Sequence, residues 1–561
     1  MNDRPAIDWV QEHRNAAARE AALAVVLAPP PDSLQTVSYT SAGKTLVIGS
    51  PDLALRCADQ LCGVLPVTVL LTGPAAQPAS PAYQALHCSE IELSGWLGAF
   101  DARWRDAGRG VLRREGRFDL VLDLSPAPLI GSHQKPHGYF APGAGDADIA
   151  AAIDSLAQMI GEFDKPKYFR YKDRLCAHSR NGQAGCSACI DICSASAIAS
   201  AGDLVRVNPY LCAGCGACTT VCPTGALAYA YPGAPYTGDR LRAVLASYAR
   251  EGGLDPVILF HGAGQGSSVV SMLDANSEGQ PYGLPARVIP LELHHMAATG
   301  IDVWLSAIAY GASGISVLVT DEEAPQYADA LEDQMGMAQE ILSALGYAGV
   351  HFQLVRAATP AGLGQALANA PAGVAPRQAA TFHLAQEKRN ALDMALDHLF
   401  RHATLQPVHV PLPPRSPFGA IAVDKASCTL CMSCVGACPS SALMDSDAAP
   451  QLRFVEKNCV QCGLCANTCP EDAIALVPRM SFADTWNKAV VLNETEPFCC
   501  IRCNKPFGTL LMIQSMLGKL AQHSAFQGNL DRIRMCGDCR VIDMMQSNLA
   551  GDGGKTAGRV A

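Results

Sequence analysis

Apolar residues arrive along this chain as short strand-length runs alternating with stretches of helical period. KTLVIGSPDLALRCADQLCGVLPVTVLLTG reads as strand, turn, helix and strand, and FDLVLDLS adds a further buried strand. With a helix predicted around DIAAAIDSLAQMIGEF, these segments make an α/β domain over 35–165, preceded by a short helix and linker at 1–34. Between 236 and 405 the rhythm returns. PVILF, RVIPLEL, GISVLVT and HFQLV are short apolar strands separated by helical segments at GIDVWLSAIAYGA and EAPQYADALEDQMGMAQEILSALGY, which predicts parallel pairing through right-handed crossovers. A helix at TFHLAQEKRNALDMALDHLFRHA completes that domain. The segments 166–235 and 418–480 lack this rhythm and are rich in cysteine. YPGAPYTGD marks the exit from the first of them, and the five prolines of QPVHVPLPPRSPFG predict a semi-rigid extended linker at 406–417 before the second. A cysteine-bearing module follows at 481–548, and GDGGKTAGRVA closes a tail at 549–561 expected to be disordered.

Composition narrows the class. A chain of 561 residues exceeds one hydrophobic core, and 49% hydrophobic with 17% charged residues is a globular balance. No apolar stretch approaches eighteen residues, and MNDRPAIDWVQEHR carries no export signal, so a cytoplasmic protein without membrane insertion is expected. In that compartment 24 cysteines point to metal or redox chemistry rather than to disulfides. A net charge of −10 disfavours polyanion binding; the basic and aromatic cluster KPKYFRYKDR is read as a solvated face, and no nucleic-acid partner is expected.

The cysteine spacing is the most specific signal. Three complete C-x2-C-x2-C-x3-C-P runs occur: Cys212, Cys215, Cys218 and Cys222; Cys428, Cys431, Cys434 and Cys438; and Cys459, Cys462, Cys465 and Cys469. In paired cubane sites, three thiolates come from one run and the fourth from the distal cysteine of the other. By that rule Cys428, Cys431, Cys434 and Cys469 hold one cluster, and Cys459, Cys462, Cys465 and Cys438 hold its partner. The 166–235 segment departs from the pattern: its first half runs Cys176, Cys186, Cys189, Cys193, with nine residues between the first two and Ser194 in place of proline. Its expected sets are Cys176, Cys186, Cys189 and Cys222 for one cluster and Cys212, Cys215, Cys218 and Cys193 for the other. If Cys176 is a buried free thiol, the first set has three ligands and holds a three-iron cluster or none.

These motifs resemble bacterial two-cluster ferredoxins over about 60 residues in each unit, a likeness that implies one-electron transfer through up to four [4Fe-4S] clusters. The fold expected is multidomain α/β plus α+β: two ferredoxin-like units bracketing a parallel α/β domain, with an N-terminal α/β domain and a small C-terminal four-cysteine module. In that module Cys500, Cys503, Cys536 and Cys539 form two C-x2-C knuckles, read as a zinc site, with a fifth iron-sulfur cluster or a redox dithiol as alternatives and Cys499 as a spare. Arg502, Lys505 and Arg540 would offset its charge. Cys57, Cys62 and Cys88 are expected in apolar cores.

Neither α/β domain carries a complete nucleotide fingerprint. Only Gly49 of IGSPDLA stands where a dinucleotide loop would need three glycines, and HGAGQGSS, with Gly262, Gly264 and Gly266, lacks the lysine of a phosphate loop. His294 and His295, adjacent at a strand end, should point apart. The order of strands and helices from PVILF onward resembles the delta subunit of methyl-viologen-reducing hydrogenase over about 120 residues. That family carries cysteines for a two-iron cluster in these loops; here His261, Gly262, Gly266 and Asp321 follow the strands and no cysteine lies between Cys222 and Cys428, so the resemblance implies a docking scaffold without a cluster. The sequence reading is an electron carrier, without catalytic residues of its own, serving protein redox partners in a larger oxidoreductase of formate-dehydrogenase or heterodisulfide-reductase type. Its rival is an accessory, maturation or redox-sensing iron-sulfur protein.

Overall fold

The computed structural model describes residues 9–27, 35–73, 82–107, 113–143, 145–275, 283–521 and 530–552. Most of the tail at 549–561, and residues 1–8 and 28–34 of the stretch before the first α/β domain, therefore lie outside the described residues. The chain divides into two compact units: Met1–Lys172, Ser187–Ala201 and Val205–Thr404 make the first, and Asp173–Cys186, Gly202–Leu204 and Leu405–Ala561 the second. This division differs from the sequence boundary at 166–235, because part of that segment is counted with each unit.

In the first unit, the strand Thr45–Gly49 is buried along its whole length and feeds through Ser50 into the helix Pro51–Leu61, whose leading proline lacks only an N–H that the first turn does not need. It is flanked in parallel by Val67–Thr72 and Leu120–Asp123. Alternate residues face opposite sides. Val47, Val69, Leu71, Leu120 and Leu122 pack with Ala54, Ala58 and Leu61 of that helix and with Ile149, Ala152 and Leu156 of Asp146–Ala157, while Leu46, Ile48, Leu70 and Val121 enter a second core with Phe100, Trp104 and Phe118. The seven-stranded sheet runs Arg113–Phe118, Phe100–Asp106, Gln84–Ser94, Val67–Thr72, Thr45–Gly49, Leu120–Asp123, Tyr139–Phe140. Its antiparallel edge was hidden in the sequence by alternating charge. The helix expected to reach GEF stops at Ala157; Gly161, at φ 123°, opens instead the strand Gly161–Pro166, antiparallel to Thr36–Ser41. Cys57 and Cys88 are core residues as expected, whereas Cys62 is only half-buried.

All four apolar runs of the middle domain are strands, parallel, in the order Val288–Leu293, Val257–Gly262, Gly314–Val319, Phe352–Arg356. Helices Ile301–Ala309 and Pro325–Ala344 lie where the apolar period predicts, but the last helix begins at Lys388, after an irregular 381–387. The amino-terminal helix Trp9–Leu23 belongs to this domain: Asn15 accepts from the Leu254 N–H, and Arg19 donates to the carbonyls of Leu284 and Pro285.

In the second unit, Gly419–Val423 and His409–Pro411 both pair antiparallel with Ile474–Ser481. The proline-rich stretch is extended, as predicted, but it serves as an edge strand rather than a free linker, a position where proline's missing N–H does not interrupt the ladder. The nine residues between Cys176 and Cys186 include a hairpin, Ser179–Arg180 against Gln183–Ala184, turning at Asn181 and Gly182 with φ of 52° and 77°. Asn-Gly is the pair such a turn favours. Ala184 accepts a 2.9 Å bond from the Asn467 side-chain amide, and Ala177 packs against Ala437 and Leu464.

Burial holds His137, His261, His294, His295, His351 and His398 of the first unit below the ordinary imidazole range, His295 down to about 4. Such a depressed group stabilises the fold fully above its unfolded pKa of about 6.5 and loses that contribution as pH falls through the folded value. The first unit is therefore expected to lose stability from about pH 6.5 towards about 4, measurable as a falling thermal midpoint; a flat midpoint across that range would contradict the burial argument.

Candidate metal centres

The three complete cysteine runs share one backbone trace. The residues on either side of each second cysteine have left-handed φ: Gly214 and Gly216, Leu430 and Met432, Gln461 and Gly463, at 52° to 82°. These turns wrap the backbone around one point and aim successive N–H groups inward. Glycine is required most at Gly216, where a Cβ would lie 2.7 Å from Ala298 Cα. In the interrupted run neither Gly185 nor Ser187 takes that conformation, so the sequence departure has a backbone counterpart. After each distal cysteine the third residue is again left-handed: Ser196, Gly225, Ser441 and Asp472. The N–H of the fourth then donates to sulfur, from Ala197 to Cys193 at 3.2 Å, from Ala442 to Cys438 at 3.3 Å and from Ala473 to Cys469 at 3.3 Å. At Cys222 the matching N–H of Ala226 goes to Thr224 Oγ1, which itself lies 3.5 Å from the sulfur.

In the second unit, Cys428, Cys431, Cys434 and Cys469 line one small cavity, and Cys438, Cys459, Cys462 and Cys465 line another. Each cavity thus has three cysteines of one run and the distal cysteine of the other. In the first unit Cys193 lies with Cys212, Cys215 and Cys218, close enough for each to raise another's pKa. Of the remaining set, Cys189 and Cys222 fall in the first unit and Cys176 and Cys186 in the second.

Burial, reinforced by neighbouring thiols, pushes Cys212 up to about 11, Cys434 to about 12, Cys462 to about 11 and Cys465 to about 12, with Cys218 also well above the usual range. The thiols so raised resist ionising beside one another without a cation, so metal binding at Cys212, Cys218, Cys434, Cys462 and Cys465 exchanges protons for metal. Soft thiolates, convergence and inward N–H groups fit an iron-sulfur cluster.

Sequence reasoning missed the charged groups beside the first unit's cysteines. Lys165 donates to the carbonyls of Tyr210 and Cys212 at 2.8 and 2.9 Å, and burial brings it down to about 8. Lys388 donates to the carbonyls of Thr219 and Thr220, between Cys218 and Cys222. Within the basic cluster read as a solvated face, Lys165 is thus committed to internal contacts, whereas Lys172 pairs with Glu387 at 2.8 Å on a half-exposed surface.

The carboxy-terminal module differs in scale. Cys500 sits at the turn of the hairpin Pro497–Cys499 and Pro506–Thr509, with Asn504 left-handed, and Cys536 and Cys539 flank the start of the helix Gly537–Asp552. The sulfurs of Cys500, Cys503, Cys536 and Cys539 all lie within 4.8 Å of one another, and Cys503 and Cys536 are 3.7 Å apart. One tetrahedral ion with metal-sulfur bonds of about 2.3 Å separates its sulfurs by about 3.8 Å. A cubane takes each thiolate on a different iron and spreads them further, so this spacing suits a single ion. Burial alone would raise Cys500, but the N–H groups of Cys536, Cys503 and Arg502 outweigh it and bring the thiol down to about 6, while Cys539 is pushed up to about 12 by burial and its neighbours' sulfurs. Cys499 is exposed and outside the set.

The glycine loop of the middle domain carries no phosphate geometry. Glu322 accepts from the Gln265 N–H at 2.9 Å, placing a carboxylate where a phosphate would sit at that helix start. His294 stacks on Tyr168 and His295 meets Tyr327 edge-on, pointing apart as expected.

Two family models match: a 4Fe-4S dicluster domain over residues 427–474 and a 4Fe-4S binding domain over residues 204–227. The chain therefore contains 4Fe-4S ferredoxin-type domains, which suggest iron-sulfur electron transfer. No curated protein matches the chain. Among the described residues no helix is long and apolar enough to cross a membrane.

Replacing Cys438 with serine is expected to damage the cluster beside Cys459, Cys462 and Cys465 while sparing the one beside Cys428. Paramagnetic resonance of the reduced variant reads this out; loss of the Cys428 signal alone would contradict the crossed arrangement. Chelating the C-terminal ion should release one equivalent of metal and lower the thermal stability of that module without bleaching the iron-sulfur absorbance.

Proposed function

We propose that the protein is an electron-transfer component of a larger oxidoreductase, carrying single electrons between protein partners through four [4Fe-4S] clusters. The crossed sets of four cysteines around two separate cavities are the observation that carries this reading. Cys428, Cys431, Cys434 and Cys469 would hold one cluster and Cys438, Cys459, Cys462 and Cys465 its neighbour; Cys193, Cys212, Cys215 and Cys218 would hold a third. The fourth set, Cys176, Cys186, Cys189 and Cys222, rests on ligand order in the chain. Bound there, the clusters supply reversible one-electron chemistry at potentials set by the protein around them. The residues supply the rest: buried sulfurs exclude water, and the N–H groups of Ala197, Ala442 and Ala473 steady negative charge on the distal thiolates.

The C-terminal cysteines would hold one structural zinc ion, closing a module whose remaining core is small. The partners would be of formate-dehydrogenase or heterodisulfide-reductase type, and the middle α/β domain, whose sequence resembles the hydrogenase delta subunit in its order of strands and helices, would serve as the docking scaffold. The location would be cytoplasmic, a compartment in which cysteine-rich chains use their thiols for metal or redox chemistry.

Anaerobic purification with iron, sulfide and zinc quantitation tests this reading. About sixteen iron with matching sulfide and one zinc per chain is expected, with about fifteen iron if Cys176 is not a ligand. Protein isolated without air and devoid of iron would overturn it.

A further inference from the structure

Ser194 is where the chain breaks its own rule. Pro223, Pro439 and Pro470 follow the other distal cysteines, and proline brings no hydrogen-bond donor. Ser194 is buried, and its hydroxyl bonds that of Tyr327, a residue of the middle-domain helix Pro325–Ala344 that is 1% exposed. The Tyr327 hydroxyl also faces the Cys215 thiol, within reach of donating to its sulfur. A phenol has one proton. If Tyr327 gives it to the Cys215 sulfur, Ser194 must donate to the phenolic oxygen, and the chain runs from Ser194 through Tyr327 to Cys215. His295 cannot compete for that proton, because its Nδ1 already accepts from the Ala297 N–H and its ring meets Tyr327 edge-on, 5.5 Å between centroids.

Among the described residues, the side-chain hydroxyls that bond cluster cysteines come from the same turn: Thr224 by Cys222, Ser433 by Cys431 and Ser440 by Cys438, each two residues on. Tyr327 instead reaches its sulfur from a different domain, 112 residues after Cys215 in the chain.

We infer that Tyr327, held in register by Ser194, sets the reduction potential of the cluster bound by Cys193, Cys212, Cys215 and Cys218, so that the middle domain tunes a redox centre it does not itself contain. The inference rests on the electron-carrier reading above. One electron from a reduced protein donor adds negative charge that the cysteine sulfurs share; the hydroxyl bond to Cys215 favours that reduced level, and the proton stays on Tyr327 throughout. Tyr327 acts on the ligand directly, and Ser194 is a positioning residue behind it. Hydrogen bonds to cluster sulfur are among the factors that set such potentials. Chained donors also strengthen one another.

The test is a potentiometric titration of the full-length, iron-loaded protein followed by paramagnetic resonance, comparing wild type with Tyr327→Phe and Ser194→Ala. Tyr327→Phe keeps the ring and its packing and removes the donor. With iron content unchanged, one of the reduction steps should move to lower potential by about a tenfold change in equilibrium constant, which is about 59 mV for one electron, while the others stay put. Ser194→Ala should move the same step in the same direction by less. Unchanged potentials in both variants at full iron content would overturn the inference and leave the carrier reading standing, as would a uniform shift of every step. Wild-type protein without iron would remove the carrier reading itself. Loss of iron in Ser194→Ala without any shift in the remaining steps would make the pair structural and also overturn the inference.

Discussion

Sulfur atoms brought together in buried space repel one another once ionised, and that constraint organises the cysteine-bearing parts of this protein. Burial first, and then the sulfurs of Cys459, Cys462 and Cys438, push Cys465 up to about 12, and burial with its own neighbours does the same to Cys434. The fold answers in two ways. Left-handed residues beside the second cysteine of each complete run fold the backbone around the sulfurs, the N–H groups of Ala197, Ala442 and Ala473 donate to distal ones, and the loops leave space for an inorganic cation. Where three cysteines of one run meet the distal cysteine of another, the site suits a cluster; where two knuckles press four sulfurs to within 4.8 Å, it suits one ion.

Much of this was legible because ligand spacing and apolar period are local. The crossed sets in the second unit follow from the order of eight cysteines, and the four parallel strands of the middle domain follow from four short apolar runs. What escaped was long-range. The strands Gln84–Ser94 and Phe100–Asp106 read as charged and irregular because only one face is buried. The helix Trp9–Leu23 carries weak amphipathicity, and nothing local says that it packs on a domain more than two hundred residues away. The proline-rich stretch looked like a linker because proline speaks about its own φ and not about the neighbouring strand.

At Ser194 a broken motif coincides with a contact to another domain. The sequence flagged the missing proline but had no means of finding its partner, since Tyr327 is one aromatic residue on a helix of mostly apolar face. The middle domain lacks cysteine altogether, yet through Tyr327 and Lys388 it reaches the sulfur-bearing loops of the first unit. A scaffold that has no cluster can still govern one by supplying hydrogen bonds and charge at its boundary.

The central claim is that cysteines distant in sequence hold iron in the ferredoxin-type sites and a different metal in the C-terminal one. Anomalous diffraction from crystals of anaerobically prepared protein, collected on both sides of the iron and zinc absorption edges, tests it directly. The account predicts iron peaks within the two crossed cysteine sets of the second unit and beside Cys193 and Cys215 in the first, with a single zinc peak among Cys500, Cys503, Cys536 and Cys539. Zinc in the crossed sets, or no anomalous signal there at either edge, would contradict it.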